Sequence, residues 1–314
     1  MSLKTTLIVL FIGVQLLAQE KVQEFDLNIL KDFQKVRDFT INASNKEAYF
    51  TVQSPKEELS GIFKSVNRKG KWQAPELVSF SGQYKDLEPY LSPDGLKLYF
   101  ASNRPLVNTA RQTKDFDIWY VERKTTDASW SEPINLGAPV NTKYNEFFPA
   151  IATSNNLYFT SDRPSAKGKD DIFFSVWTTQ GYKPGVSMPT AVNTEGYEFN
   201  AYIAPDESFL IFTGYGRKDG LGSGDLYISY KTKEDNWTVA KNMGNAINSD
   251  QMDYCPFVHW NSKTMYFTSR KSSVQASDKL STKSFMQAIT SYSNGLSRVY
   301  KEDISILLDN LRTE

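Results

Sequence analysis

Leu98-Tyr99-Phe100-Ala101-Ser102-Asn103-Arg104 is a phrase that this chain repeats. It returns as Leu157-Tyr158-Phe159-Thr160-Ser161-Asp162-Arg163, and as Leu210-Ile211-Phe212-Thr213-Gly214 with Arg217 slightly displaced. Its last copy is Met265-Tyr266-Phe267-Thr268-Ser269-Arg270, and Ala48-Tyr49-Phe50-Thr51-Val52 is a degenerate first one. The central Phe stands at 50, 100, 159, 212 and 267, so the period lies between 50 and 59 residues. A period of that length, built from short aromatic and β-branched runs, is the mark of radial β repetition.

Working outward, each unit has four pieces. An acid opens the first, at Asp86, Glu146, Glu198 and Asp253, followed by aromatic residues and, in three of the units, Pro. A turn follows, with Pro93-Asp94-Gly95 and Pro205-Asp206-Glu207 supplying a preset φ and turn-tolerant neighbours. The Tyr-Phe-Thr-Ser strand is next, and its residues suit a pleated, half-buried surface. The fourth piece is Asp117-Ile118-Trp119, Asp171-Ile172-Phe173 or Asp225-Leu226-Tyr227. Gly61-Ile62-Phe63 and Arg298-Val299-Tyr300 take its place in the first and last units. A hairpin then leads to Trp72, Trp130, Tyr182 or Trp237, and the segment ends in Val140-Asn141, Val192-Asn193 or Ile247-Asn248.

Four strands per unit make one propeller blade. The expectation is an all-β, five-bladed β-propeller with four-stranded antiparallel blades. Six blades is the second choice, with a degenerate unit hidden in residues 59–85 or 272–295. The Tyr-Phe-Thr-Ser segments are expected to stand around the axis as the inner strands. Residues 22–32 are expected to pair as the outer strand of the last blade, which would remove an exposed edge; residues 304–308 are the alternative.

The 314 residues carry 36 basic and 36 acidic side chains, a formal net charge of zero. That excludes a general nucleic-acid surface, which needs a basic excess to displace counterions. Residues 1–19 read as a secretory signal peptide: Lys4, an apolar run from Leu7 to Leu17 interrupted by Gln15, and a small residue at Ala18. The run is too short to span a bilayer, and no other approaches membrane length. Residues 20–314 are then one propeller domain, periplasmic or secreted. Cys255 is the only cysteine, so an internal disulfide and a Cys-based metal cluster are excluded. His259 is the only histidine and cannot build a zinc site alone.

The units resemble the WD40-like β-propeller repeats of the TolB type. Glu88-Pro89-Tyr90-Leu91-Ser92-Pro93-Asp94-Gly95, Phe100-Ala101-Ser102-Asn103-Arg104 and Asp117-Ile118-Trp119 match that family's pattern well, and Glu198 to Asp206 matches loosely. The third and fifth units depart from it, with Thr153-Ser154-Asn155 and Trp260-Asn261-Ser262 in place of the Pro-Asp-Gly turn. The resemblance covers roughly residues 36–303. It implies the fold, and a role as an envelope scaffold, an interaction module or a non-catalytic part of a larger enzyme.

Features repeated once per blade serve packing before they serve ligands. Asp86, Glu146, Glu198 and Asp253 are therefore expected to pair with Arg104, Arg163, Arg217 and Arg270 or to cap loops. Residues that break the repeat are better ligand candidates: the acids Asp162 and Asp170, and the loop aromatics Tyr144, Tyr197, Tyr215 and Tyr254. The Gly-rich stretch from Asp219 to Gly224 lacks a phosphate-loop ending. No metal and no cofactor is expected. The function expected is an exported, non-catalytic scaffold that binds an envelope protein or peptide, with residues 104–114 and 272–294 as contact loops. The alternative is a glycoside hydrolase or lectin-like protein with a glycan at the central channel.

Overall fold

The computed structural model describes residues 24–107, 113–275 and 279–306. They form five small antiparallel sheets. Blade 1 holds Val36–Ile41, Glu47–Gln53, Ser60–Arg68 and Glu76–Leu77, with Lys71–Trp72 as a hairpin arm. Blade 2 holds Asp86–Leu91, Lys97–Ser102, Asp117–Glu122 and Ile134–Asn135. Blade 3 holds Glu146–Ile151, Leu157–Ser161, Asp171–Ser175 and Val186–Ser187, and carries the extra hairpin Trp177–Thr178 with Gly181–Tyr182. Blade 4 holds Tyr197–Ile203, Phe209–Tyr215, Gly224–Tyr230 and Lys241–Asn242. Blade 5 has three strands among the described residues: Asp253–His259, Thr264–Ser269 and Arg298–Asp303.

The first strands touch one another in cyclic order, blade 5 returning to blade 1. The fold is thus the expected five-bladed propeller, but its axis is lined by the acid-led strands. The Tyr-Phe-Thr-Ser strands stand second. Their aromatic pairs, such as Tyr158 and Phe159, are buried where blades face each other. Such large rings fill the wedge between twisted sheets, whereas the crowded axis takes a strand that bends.

Ring closure also differs from expectation. Residues 24–32 add no strand: Leu27–Leu30 is a single 3₁₀ turn, and Phe25 packs edge-on against Phe39 and Trp72. Ile304 is buried and its amide bonds the Lys263 carbonyl, without extending the sheet. The ring closes instead through a seam used elsewhere in the molecule. Val36 N donates to Ser297 O at 2.9 Å, as Glu146 N does to Phe116 O at 2.8 Å and Glu198 N to Asp170 O at 2.9 Å. The described residues between 272 and 295 add no sixth blade; they hold the helix Thr282–Ile289, none of whose residues is buried. The expected leader lies outside the described residues, as does part of the 104–114 loop. Among the described residues no helix is long and apolar enough to cross a membrane.

Three side-chain latches explain the repeated residues. The acid accepts from the next-blade entry loop: Thr142 N and Oγ1 donate to Glu146, and Thr194 N and Oγ1 to Glu198. The arginine clasps that acid, at 2.6 Å for Arg104–Asp86 and 2.9 Å for both Arg163–Glu146 and Arg217–Glu198. The same guanidinium donates to the carbonyl of Phe80, Val140 or Val192 and lies over the aromatics of its blade. The asparagine acts as a one-residue strand. Asn193 accepts from Ile172 N and donates to Ile172 O, as Asn141 does with Ile118 and Asn248 with Leu226. Gly168 and Gly222 are required because the loop lies against the next blade; a Cβ there would sit 2.0 Å from Gly196 O and 1.8 Å from Gln251 O.

Asn193 is fully buried. Asn193→Ala leaves the buried Ile172 amide without an acceptor, while the Ile172 carbonyl keeps Met188 N, so it should cost about 1–3 kcal/mol, read as a lowered urea midpoint.

Candidate functional site

Each first strand bends at the same place. The ladder slips between Arg37 and Thr40, Leu87 and Tyr90, Phe147 and Ala150, Phe199 and Tyr202, and Tyr254 and Phe257. At each slip one residue is left-handed: Asp38 (φ 56), Glu88 (φ 60), Phe148 (φ 45), Asn200 (φ 53) and Cys255 (φ 54). None is glycine, although a left-handed non-glycine residue costs roughly 1–2 kcal/mol. The bulge turns these side chains toward the axis, where they are used.

The threonine of the Tyr-Phe-Thr-Ser strand supports this bend across the blade boundary. Thr51 Oγ1 accepts from Glu88 N at 3.0 Å, Thr160 Oγ1 from Asn200 N at 3.1 Å, and Thr268 Oγ1 from Asp38 N at 3.2 Å. Blade 2 has Ala101 there, with no hydroxyl to offer. Glu88 substitutes, its Oε2 accepting from Phe148 N at 2.7 Å. Glu88 Oε1 accepts from Asn200 Nδ2 at 3.2 Å and from Arg37 Nη2 at 2.9 Å. Arg37 also donates to Asp38 at 2.7 Å and reaches Cys255 Sγ at 3.4 Å. Burial drives the Glu88 carboxyl up to about 7, against the pull of Arg37.

This network floors a cavity of about 380 Å³. Its walls carry Leu87, Phe147, Phe199 and Tyr254, one residue before each bulge, with Phe116 and Met252 between them. Lys85, Asp170 and Arg270 bring charge to it. Farther along the first strands the axis is filled: Phe257 meets Phe39, Tyr90 and Tyr202 at centroid separations of 6.5, 6.2 and 5.8 Å. Tyr90 Oη donates to Ile151 O at 3.2 Å. The central channel is therefore a blind cup.

Two of the six ligand candidates, Asp170 and Tyr254, line the cup. Asp170 makes no hydrogen bond or ion pair through its carboxylate among the described residues. Burial raises it above its ordinary range, and the charges of Asp162 and Asp171 add to this. Asp162 is engaged elsewhere, accepting from Asn145 N at 2.9 Å and Nδ2 at 2.7 Å. Tyr197 bridges Asp170 through its backbone and meets Tyr215 edge-on at 5.8 Å, outside the cup lining. Tyr144 lies under Lys143, away from that lining.

Arg270 needs a correction. Asp253 takes Ser249 N at 2.6 Å and Oγ at 2.8 Å, and no arginine. The ladder explains why. Ser102, Ser161 and Ser269 are equivalent, each facing the start of the third strand. Arg104 and Arg163 stand two residues after their serine, whereas Arg270 stands one after, where the other blades have Asn103 and Asp162. Lys271 occupies the clasp position, its ammonium 3.9 Å from the Tyr300 ring centre. Arg270 turns to the cup, touching Ser297 Oγ at 3.4 Å with its guanidinium 5.6 Å from the Tyr254 ring centre.

Sequence reasoning passed over Arg37, Lys85, Glu88, Phe147 and Phe199. The signal was present in the residue after each repeated acid, which is apolar in four blades. Blade 1 has Val36 in place of the acid, and this hid the equivalence of Arg37. The other singled-out groups are structural. Cys255 is buried and its thiol is raised far above its usual range by burial. His259 is buried at a strand end against Ser262 Oγ at 2.7 Å. Asp219 accepts from the Tyr227 hydroxyl at 2.9 Å. The described residues hold no group of three His, Cys, Asp or Glu placed for a metal ion.

No family model and no curated protein matches the chain. Solved structures similar to it include TolB from Acinetobacter baumannii, at 12% identity and TM-score 0.47 over 75% of this chain and 49% of that one. The chain thus spans about half of that protein's length. Putative TolB from Agrobacterium tumefaciens aligns at 11% identity and TM-score 0.46 over 78% of this chain and 72% of that one. A glycoside hydrolase aligns at 9% identity and TM-score 0.54 over 85% and 87%. At such identities the likeness is one of fold.

Glu88→Ala should cost about 1–3 kcal/mol, because it leaves the buried Phe148 amide without an acceptor and Arg37 with Asp38 as its one remaining ion-pair partner among the described residues. Adding Ala101→Thr supplies the missing hydroxyl and should return about 1 kcal/mol, measured by chemical denaturation. With the folded-state carboxyl at about 7 and the ordinary value at 4.5, the folded protein holds a proton that the unfolded chain has released. Stability should therefore fall as pH rises between those values, and Glu88→Gln should flatten that slope in a pH series of unfolding curves.

Proposed function

We propose that this chain is an exported, non-catalytic binding scaffold of the cell envelope that seats its ligand at the mouth of the axial cup. One observation carries the reading. Asp38 and Glu88 share Arg37, and Glu57 is held by Lys35, so Asp170 is the one cup carboxylate without a cationic partner among the described residues. Hydrolysis of a glycosidic bond by paired carboxylates needs two of them free to face the scissile linkage. The basic start and apolar run of residues 1–19, read as a leader, support export, and rigid blades that present loops at the ring face support binding.

The competing reading is a glycoside hydrolase or lectin-like protein with its glycan in the same cup. What favours it is Glu88, a carboxyl raised to about 7 as a general acid would be. Both of its oxygens, however, are occupied by Phe148 N, Asn200 and Arg37. The test is incubation of the purified protein with plant and bacterial glycans, followed by assay of new reducing ends. None is expected. Release of sugar that disappears in both Asp170→Asn and Glu88→Gln would overturn the scaffold reading.

A further inference from the structure

The cup holds three charged groups that make no ion pair among the described residues; the nearby acid Glu57, which feels the charge of Arg270, is itself held by Lys35. In blades 2, 3 and 4 the cation after the second strand is consumed by the repeated acid. In blade 5 the one-residue offset frees Arg270, whose described hydrogen bond is to the neutral Ser297 Oγ. The Lys85 ammonium has no hydrogen bond or ion pair among the described residues, and neither has the Asp170 carboxylate. By contrast, Arg37, Asp38 and Glu88 satisfy one another within the floor. Above that floor the walls are apolar: Leu87, Phe116, Phe147, Phe199 and Met252.

An occupant must therefore meet three demands. It needs an apolar body to replace water on the aromatic walls. It needs an anionic group for Arg270 and Lys85, which a carboxylate satisfies in a geometry suited to guanidinium. It needs a cationic donor for Asp170. An uncharged polyol meets none of the charge demands and would bury them unpaired, which is costly. Because the axis beneath is closed by Phe39, Tyr90, Tyr202 and Phe257, one small molecule fits and a threaded chain does not. A cavity of about 380 Å³ lies within the range of small-molecule sites.

We propose that the axial cup binds a small zwitterion with an apolar body, of the free α-amino-acid class, its carboxylate held by Arg270 and Lys85 and its ammonium by Asp170. This rests on the non-catalytic reading above and names the ligand of that same site. The experiment is calorimetric titration of the full chain with free L-phenylalanine, 3-phenylpropionate, 2-phenylethylamine and a neutral trisaccharide, the mixtures being analysed afterwards for breakdown products. Phenylalanine should bind, and each analogue lacking one charge should bind roughly tenfold more weakly or less, as loss of a charged hydrogen bond implies. Arg270→Gln should weaken phenylalanine by a similar factor. Asp170→Asn should bring phenylalanine level with 3-phenylpropionate. Thermal midpoints of both variants should stay near the parent, since neither group supports the fold through an ion pair.

If the three aromatic compounds bind equally, or L-phenylalanine does not bind, the proposal is wrong. Binding of the neutral trisaccharide in preference, without cleavage, also overturns it but leaves the scaffold reading standing. Cleavage of the trisaccharide overturns the scaffold reading itself.

Discussion

One left-handed residue in each first strand sets the geometry of the whole ring. Each of the five strands that meet at the axis bends at this residue, where its ladder slips. The bulge shortens the ladder by a step, re-aims one side chain inward and exposes one amide that needs an acceptor. That acceptor comes from the neighbouring blade, as the threonine hydroxyl of Thr51, Thr160 or Thr268. Four of the five bends thus depend on the adjacent blade, the Phe148 bend through Glu88, which couples those blades; at the Cys255 bend the equivalent Thr213 hydroxyl makes no hydrogen bond among the described residues.

The exceptions to this scheme create the site. Ala101 breaks the threonine pattern, and Glu88 reaches into the gap, where it meets Arg37 and Asn200. A buried charged network then lies on the axis where a symmetric repeat would have put neutral groups. Ser269-Arg270 breaks the arginine spacing by one residue, and a cation that would have clasped an acid is delivered to the cup mouth. In both cases a departure from repetition moves charge from a packing role to the ring centre.

Blade 5 shows how little is needed to close the circle. It has no outer fourth strand among the described residues, yet its third strand meets blade 1 through Val36 N and Ser297 O. Phe25, Trp72, Phe39 and Tyr266 fill the wedge behind that seam, and Tyr266 Oη accepts from Phe25 N at 3.3 Å. Closure is a matter of inter-blade packing and one repeated backbone bond.

The recurring Tyr-Phe-Thr-Ser phrase determined the blade count, the antiparallel order and the structural use of the repeated acids, because each recurs at a spacing that only stacked equivalent units satisfy. The clasp of Arg163 on Glu146 was legible for the same reason: both residues recur together. The order of strands from the axis was not, since the inner and second strands are both aromatic and short, and only the bulges at Glu88 and its equivalents decide which one bends inward. The cup was half legible. Asp170 and Tyr254 break the repeat visibly, but Arg37, Glu88 and Lys85 lie far apart in the chain. Arg270 looked like one more clasp until the strand register displaced it by a residue. A one-residue offset reverses the face to which a strand-end side chain points, and that is a property of pairing between strands, which composition and spacing along one chain do not contain.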